Sequence, residues 1–391
     1  MSTASERFPT RRPTFAEIDL EAFDRNLDAI AASLPRGSRT IAVLKADAYG
    51  HGAVELARRC AGKADTIAVA LLEEAIELRD AAIELPILIL GPLSAAQFDL
   101  VFEKGFTAGI VGPEEMEAFA SRARATGWKG EIHLKLDSGM GRMGFLESDL
   151  EALARSLREL DGVTVAGIYT HFANAPDAED PFTIEQMERF DAMTARLRAL
   201  GIEAPLHHLA NSAAIARGLV RAGEWVRAGI ILYGAEPLER DAKRLEPLMR
   251  WTTRVARLKE VAPGSSVGYG RSWIAARPSR IATLPVGYAD GYGRALSNQA
   301  EVLIGGRRAP VVGRVSMDLI TVDVTDLPGV AAGDEVTLMG RDGDDEISAE
   351  ELAAKLGTIS YEILCDVGAR VPRIYRDGRR LWIHGPGARG G

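Results

Sequence analysis

Cysteine is nearly absent: 391 residues contain two, Cys60 and Cys365. They lie far apart and in no metal-ligand spacing, which excludes a disulfide framework and indicates a reducing compartment. Each reads as a buried small apolar residue rather than a nucleophile. Positive charge is not in excess either. The 47 basic residues fall short of the 55 acidic ones, for a net charge of −8, which disfavours nucleic acid as a partner and favours a soluble cytoplasmic protein. No apolar run reaches the length of a membrane span. No apolar core follows Arg11-Arg12, so neither a twin-arginine nor a secretory signal is expected. An internal repeat and a low-complexity linker are also missing. The polar segment 1–12 and the tail 385–391 are expected to be disordered.

With 47% hydrophobic and 26% charged residues, the chain has material for two domains with substantial cores. From about residue 40, apolar strand-like runs (41–44, 66–70, 86–90, 107–111, 131–136, 163–170, 205–209, 225–232) alternate with helical patterns at 53–60, 73–80, 114–124, 149–160 and 184–200. The last pattern is the clearest, with Ile184, Met187, Phe190, Met193, Leu197 and Leu200 on one face. This predicts the α/β class, with a (β/α)8 TIM-like barrel over residues 13–239; a doubly wound open sheet is the rival. Beyond residue 240, β-branched alternation (252–258, 280–285, 300–304, 308–312, 319–324, 335–339) is punctuated by turn signals such as Pro263-Gly264 and Gly305-Gly306. One helix, opened by Ser348 with Glu351 at capping-box spacing, interrupts it. Residues 240–384 therefore read as a mostly-β domain.

Lys45 ends the first apolar run and precedes a glycine-flanked turn, Ala46 to Gly52. Burial at a strand lip lowers a lysine's pKa and frees its amine to attack a carbonyl, as in a Schiff-base lysine. A snorkelling surface lysine is the bland alternative. A kinase strand fails for want of a glycine-rich loop before it or the H-R-D and D-F-G motifs after it.

Further motifs follow the later strands. Residues 139–144 fit G-x-G-x-x-G, a weak dinucleotide signal here; the glycines better serve a loop bringing Arg142 near a ligand. His171 stands at a strand end, against the common case of a satisfied core histidine. His207 and His208 are adjacent, so they face opposite sides of a strand and cannot form a two-ligand metal site. Asn211-Ser212 suits an N-cap and also an anion seat. Arg227 lies in an apolar run and needs a partner, while Gly229 beside it permits close approach. A reactive lysine, a phosphate seat and a buried arginine at one barrel end together describe a site for pyridoxal phosphate.

The chain resembles the alanine racemase family of fold-type III pyridoxal-phosphate enzymes. The likeness rests on 45–52, 135–144, 169–172, 210–213, 227–234, Gly268-Tyr269-Gly270, 287–291, 313–318, Tyr361 and 370–373, and covers nearly all of residues 13–376. It implies interconversion of L- and D-alanine, supplying D-alanine for peptidoglycan. Lys45 would bind the cofactor and act as base on the D side, with Tyr269 as base on the L side. It implies phosphate contacts from Tyr49, Ser212, Tyr361, Gly229 and Ile230, with Asn211 nearby. Arg227 would meet the ring nitrogen, and His171 with Arg227 would assist Tyr269. Arg142 would meet the ring hydroxyl and the substrate carboxylate. Lys135 would be carbamylated to position Arg142, against a bare lysine paired to a carboxylate. Met317 and Asp318 would contact substrate; Tyr288, Arg294, Arg314 and Tyr361 would gate access. It also implies a homodimer whose active sites are shared, with Tyr269, Met317 and Asp318 reaching the other subunit.

Three rivals share parts of this pattern. A serine or broad-specificity racemase would keep almost every residue named. A decarboxylase for basic amino acids would need a cysteine and an acidic ring partner in place of Tyr269 and Arg227. A pyridoxal-phosphate carrier protein, the non-enzyme alternative, would have the barrel alone.

Overall fold

All eight apolar runs between residues 41 and 232 become strands of one parallel sheet. The computed structural model describes residues 12–235 and 245–384; the segments 1–11 and 385–391, and the expected boundary at 239/240, lie outside them. The strands are β2 (Arg39–Val43), β3 (Thr66–Val69), β4 (Ile87–Ile89), β5 (Thr107–Ile110), β6 (Gly130–Lys135), β7 (Val163–Tyr169), β8 (Leu206–His208) and β9 (Trp225–Ala228). Their order, β8-β7-β6-β5-β4-β3-β2-β9, curls the sheet into a nearly closed barrel with helices outside. Runs this apolar suit strands buried on both faces. The last run is shorter than expected, because Gly229 turns the chain and Ile230–Tyr233 forms a 3-10 turn.

No ladder joins β8 to β9. Arg227 N donates to Ala210 O at 2.9 Å. The buried Glu224 carboxylate accepts from Leu209 N (2.8 Å) and Ala210 N (3.1 Å). One backbone bond and the Glu224 side chain thus complete the closure that no strand ladder makes.

The helix Phe182–Ala199 departs from its predicted face at the first turn. Ile184 is 45% exposed, while Gln186 turns inward to accept from Ala173 N (2.8 Å) and donate to His171 O (3.1 Å). The loop after β7 takes the inward position because its polar backbone must be satisfied.

The second domain is built on a mixed sheet in which β10 (Met249–Arg254) pairs with 335–342 on one side and β1 (Phe15–Asp19) on the other. β1 was not expected, and it lies within the segment assigned to the barrel; it pairs in parallel with Arg373–Asp377 of the β domain. Sheet membership depends on which edge the folded chain offers, which chain order does not reveal. The run 252–258 splits into two strands at Val255-Ala256. Ser348 accepts from Glu351 N at 3.1 Å and caps Ala349–Leu356, as its spacing predicts. The helix Ser360–Asp366 and the strands 373–377 and 380–384 were not foreseen. A continuous apolar core runs from the barrel into this domain. Among the described residues no helix is long and apolar enough to cross a membrane.

Candidate active site

Lys45 leaves β2 into an unusual turn. Ala46, Asp47, Ala48 and Tyr49 all adopt left-handed backbone angles, with φ of 54°, 52°, 52° and 52°. Each such L-residue costs about 1–2 kcal/mol, so the turn persists only because its surroundings hold it. Glu74 accepts from Ala46 N at 2.6 Å, Asp47 accepts from Ala53 N at 2.7 Å, and Ala48 N donates to Leu44 O at 2.9 Å. Gly52 closes the turn at φ +96°, where a Cβ would stand 1.7 Å from Tyr375 Oη. The reversal swings Tyr49 inward, its ring 4.8 Å from that of Tyr233.

A cavity of about 360 Å³ opens at the C-terminal ends of the barrel strands, where this architecture collects its chemistry. Lys45, Lys135, Arg142 and Arg227 face it, and no acidic residue lines it. Among the described residues, the side chains of Lys45, Lys135 and Arg142 make no hydrogen bond or ion pair. Burial, then Arg142, lowers the pKa of Lys45, with Glu74 opposing. Burial, Arg142 and Arg227 bring Lys135 down to about 8; its ammonium lies 6.0 Å from the Tyr169 ring centre. At one end of the cavity Tyr49, Ser212, Tyr361, Gly229 and Ile230 converge. Gly229 N donates to Ser212 Oγ at 3.0 Å. A Cβ at Gly229 would lie 3.0 Å from Tyr49 Oη and 3.4 Å from Ser212 Oγ, inside this cradle of donors. Burial pushes the Tyr361 hydroxyl up to about 12, so it stays a donor.

The cavity floor is a buried chain around Arg227. Its guanidinium donates to the carbonyls of His208, of Thr170 (2.7 Å) and of Leu209 (3.0 Å), and to Nδ1 of His208 at 3.0 Å. It also reaches Nδ1 of His171 at 3.3 Å. Arginine only donates, so both histidines accept at Nδ1 and carry their protons on Nε2. His208 then donates to Nδ1 of His133 at 2.8 Å. Burial, with Arg227 next, holds His171 neutral down to about 3, and burial alone takes His133 to about 4. Burial likewise brings Arg227 to about 10. The adjacent His207 points outward, its ring edge-on to Phe190. Among the described residues no cluster suits a metal ion.

A profile of the alanine racemase N-terminal domain matches residues 18–237, and one of the alanine racemase C-terminal domain matches residues 248–375. The chain belongs to the alanine racemase family. An alanine racemase of Halothermothrix orenii is 41% identical over 371 residues, covering 94% of this chain and 97% of that protein. Among solved structures, the alanine racemase from Bacillus anthracis with bound L-Ala-P superposes with a TM-score of 0.90 at 34% identity, covering 97% of this chain and 99% of that one. The alanine racemase from Bartonella henselae with covalently bound pyridoxal phosphate gives 0.83 at 29% identity, covering 93% and 99%. As a member of the alanine racemase family the chain is an isomerase.

Of the residues singled out from sequence, the fold brings eleven to this one cavity: Lys45, Tyr49, Lys135, Arg142, His171, Asn211, Ser212, Arg227, Gly229, Ile230 and Tyr361. Asn211 is also an N-cap, accepting from Ala214 N at 3.0 Å. Tyr269, Tyr288, Arg294, Arg314, Met317 and Asp318 do not join them within one chain; they lie exposed on the β domain. Asp318 pairs there with Arg370 at 2.7 Å. Cys60 is buried as expected, but Cys365 is exposed, because it follows the solvent side of the unforeseen helix Ser360–Asp366. Sequence reading quoted Tyr169 and His208 within strand-end motifs but gave them no role in the site, and it did not single out Glu74, which bonds the turn after Lys45. A buried arginine requires nearby acceptors, and for His208 that was the usable signal. Nothing in the sequence marks Glu74.

Proposed function

We propose that this chain racemises alanine, with pyridoxal phosphate held in the barrel cavity and two copies of the chain sharing each site. One observation carries the reading: four cationic side chains face a cavity that no acidic residue lines. A phosphate and a substrate carboxylate would supply the missing negative charge. The donor cradle fits the phosphate, since the hydroxyls of Tyr49, Ser212 and Tyr361 and the N–H of Ile230 surround space that a Cβ at Gly229 would fill, and the N–H of Gly229 would turn from Ser212 Oγ to join them. Lys45 would hold the cofactor covalently, Arg227 would face its ring nitrogen, and Arg142 its hydroxyl and the substrate carboxylate. Pyridoxal phosphate, when bound, withdraws electrons from the substrate's α-carbon and acidifies the hydrogen there.

Inverting a stereocentre needs bases on both faces, because one base returns the proton to the face it left. Lys45, its pKa lowered by burial, serves the D side. Tyr269 of the partner subunit serves the L side. In one chain Tyr269 is 70% exposed, with Met317 and Tyr288 also uncovered, which suits a second copy seated over the barrel mouth. His171, its proton on Nε2, donates to the oxygen of Tyr269 of the partner subunit and favours the base form. Arg227 keeps its proton against the ring nitrogen, which limits side reactions such as transamination. Lys135, at a pKa of about 8, has a neutral fraction that carbon dioxide can carbamylate, and the carbamate would orient Arg142. Tyr361, with Tyr288, Arg294 and Arg314 of the partner subunit, gates the approach, and Met317 and Asp318 of the partner subunit meet the substrate. The D-alanine formed would supply peptidoglycan from the cytoplasm, in accord with two unpaired cysteines.

Circular dichroism of L-alanine with the protein and pyridoxal phosphate tests this. Decay of the signal to zero is expected. A constant signal beside a bound cofactor would leave the carrier role, and faster loss with L-serine would reassign the substrate.

A further inference from the structure

We propose that Glu74 is the positioning residue of Lys45: its carboxylate clamps the left-handed turn to the end of the neighbouring strand and so aims the lysine into the cavity. The inference rests on the reading of Lys45 as the cofactor-binding base. Glu74 belongs to the third position of the helix Leu72–Asp80, just after β3. One carboxylate oxygen accepts from Ala70 N (2.8 Å) and Leu71 N (3.0 Å), the ordinary task of an acid in a first helical turn. The other reaches across to the turn that follows β2 and accepts from Ala46 N at 2.6 Å. Ala46 is the residue directly after Lys45 and the first of the four left-handed positions. A charge-assisted bond at that atom holds the turn where its strain begins.

The same carboxylate acts on the lysine through space. Burial, Arg142 and Arg227 drive the Lys45 ammonium to give up its proton, while Glu74 and the Cys365 thiol oppose them. Glu74 therefore sets both where the amine points and how readily it is free.

Glu115 offers an internal control. It stands at the same position of the helix Pro113–Thr126 and accepts from Val111 N and, across to the loop after β4, from Leu93 N, each at 2.6 Å. The clip is alike, but the backbone it holds has no left-handed residue.

The test compares full-length wild type, Glu74→Gln and Glu115→Gln, each with and without pyridoxal phosphate. Two readouts need no turnover: hydrogen exchange of the amides 46–50, and the pH dependence of Lys45 acylation by acetic anhydride, followed by mass spectrometry. In Glu74→Gln, exchange at 46–50 should rise on the order of tenfold or more, and the midpoint of Lys45 acylation should move to lower pH. Pyridoxal phosphate should also dissociate more readily. Glu115→Gln should lower Tm yet leave both Lys45 readouts at their wild-type values. If Glu74→Gln lowers Tm alone, with exchange and acylation unchanged, Glu74 is a structural clip and the inference fails. A wild-type protein that never racemises alanine would overturn the functional reading instead, and the exchange data would still judge the clamp.

Discussion

Nη2 of Arg227 lies 3.3 Å from Nδ1 of His171, and that contact decides which nitrogen of the histidine faces the cavity with a proton. The same guanidinium holds the carbonyls of His208 and Leu209 across the gap between β8 and β9, and that of Thr170 at the end of β7. One side chain therefore orients the site and closes the barrel. Arg227→Lys keeps the charge but cannot span those acceptors. With two charge-assisted bonds lost, Tm should fall by roughly 5 °C or more, and kcat by about tenfold or more. Thermal scanning and the racemisation assay on one preparation check both.

Tyr269→Phe removes the base proposed for one face only. Racemisation should fall by about 10²-fold or more. Exchange of the α-hydrogen of D-alanine with deuterated water should persist, because Lys45 remains. Proton NMR of each enantiomer separates the two sides; equal loss on both would sink the division of labour.

Gly229→Ala places a methyl group among Tyr49 Oη, Ser212 Oγ and the space they surround. The expected result is a rise in the Kd of pyridoxal phosphate of about tenfold, since ordinary crowding costs about 1–3 kcal/mol. Titration of the cofactor-free protein by absorbance measures it. Unchanged affinity would move the phosphate elsewhere.

Stability should fall on the acid side of neutrality. Burial lowers His51 and His133 to about 4 and His171 to about 3, from an unfolded value near ~6.5. Between those limits the unfolded chain binds protons that the native protein refuses, so stability rises with pH there. It is fully present above about pH 7 and declines as pH drops towards 4, by up to about 1.4 kcal/mol per histidine per pH unit. Urea midpoints at successive pH values test this; a flat profile from pH 7 to 5 would contradict it.

Much of the site was legible because its parts break local rules. A lysine closing an apolar strand, an arginine inside another, and glycines beside both conflict with simple burial, and such conflicts mark function. Glu74 was illegible because an acid in a first helical turn is the ordinary case; only the tertiary fold shows its second oxygen on Ala46 N. The face of the helix Phe182–Ala199 was misread at Ile184 because periodicity ignores polar demand from a neighbouring loop. Gln186 won that position by satisfying Ala173 N and His171 O.

Two things followed from sequence alone: the alternation of apolar strands and helices that makes a barrel, and the cationic and glycine-rich residue types at the strand ends that the candidate site gathers. Both are local, since strand period and side-chain chemistry are properties of short segments. The fold decided the rest. It placed β1 in the distant sheet, left β8 and β9 for Arg227 and Glu224 to join, and wound residues 46–49 left-handed. It also kept Tyr269 outside the cavity of its own chain. Those outcomes depend on which backbone groups remain unpaired after the barrel forms, and that is settled only when distant segments meet.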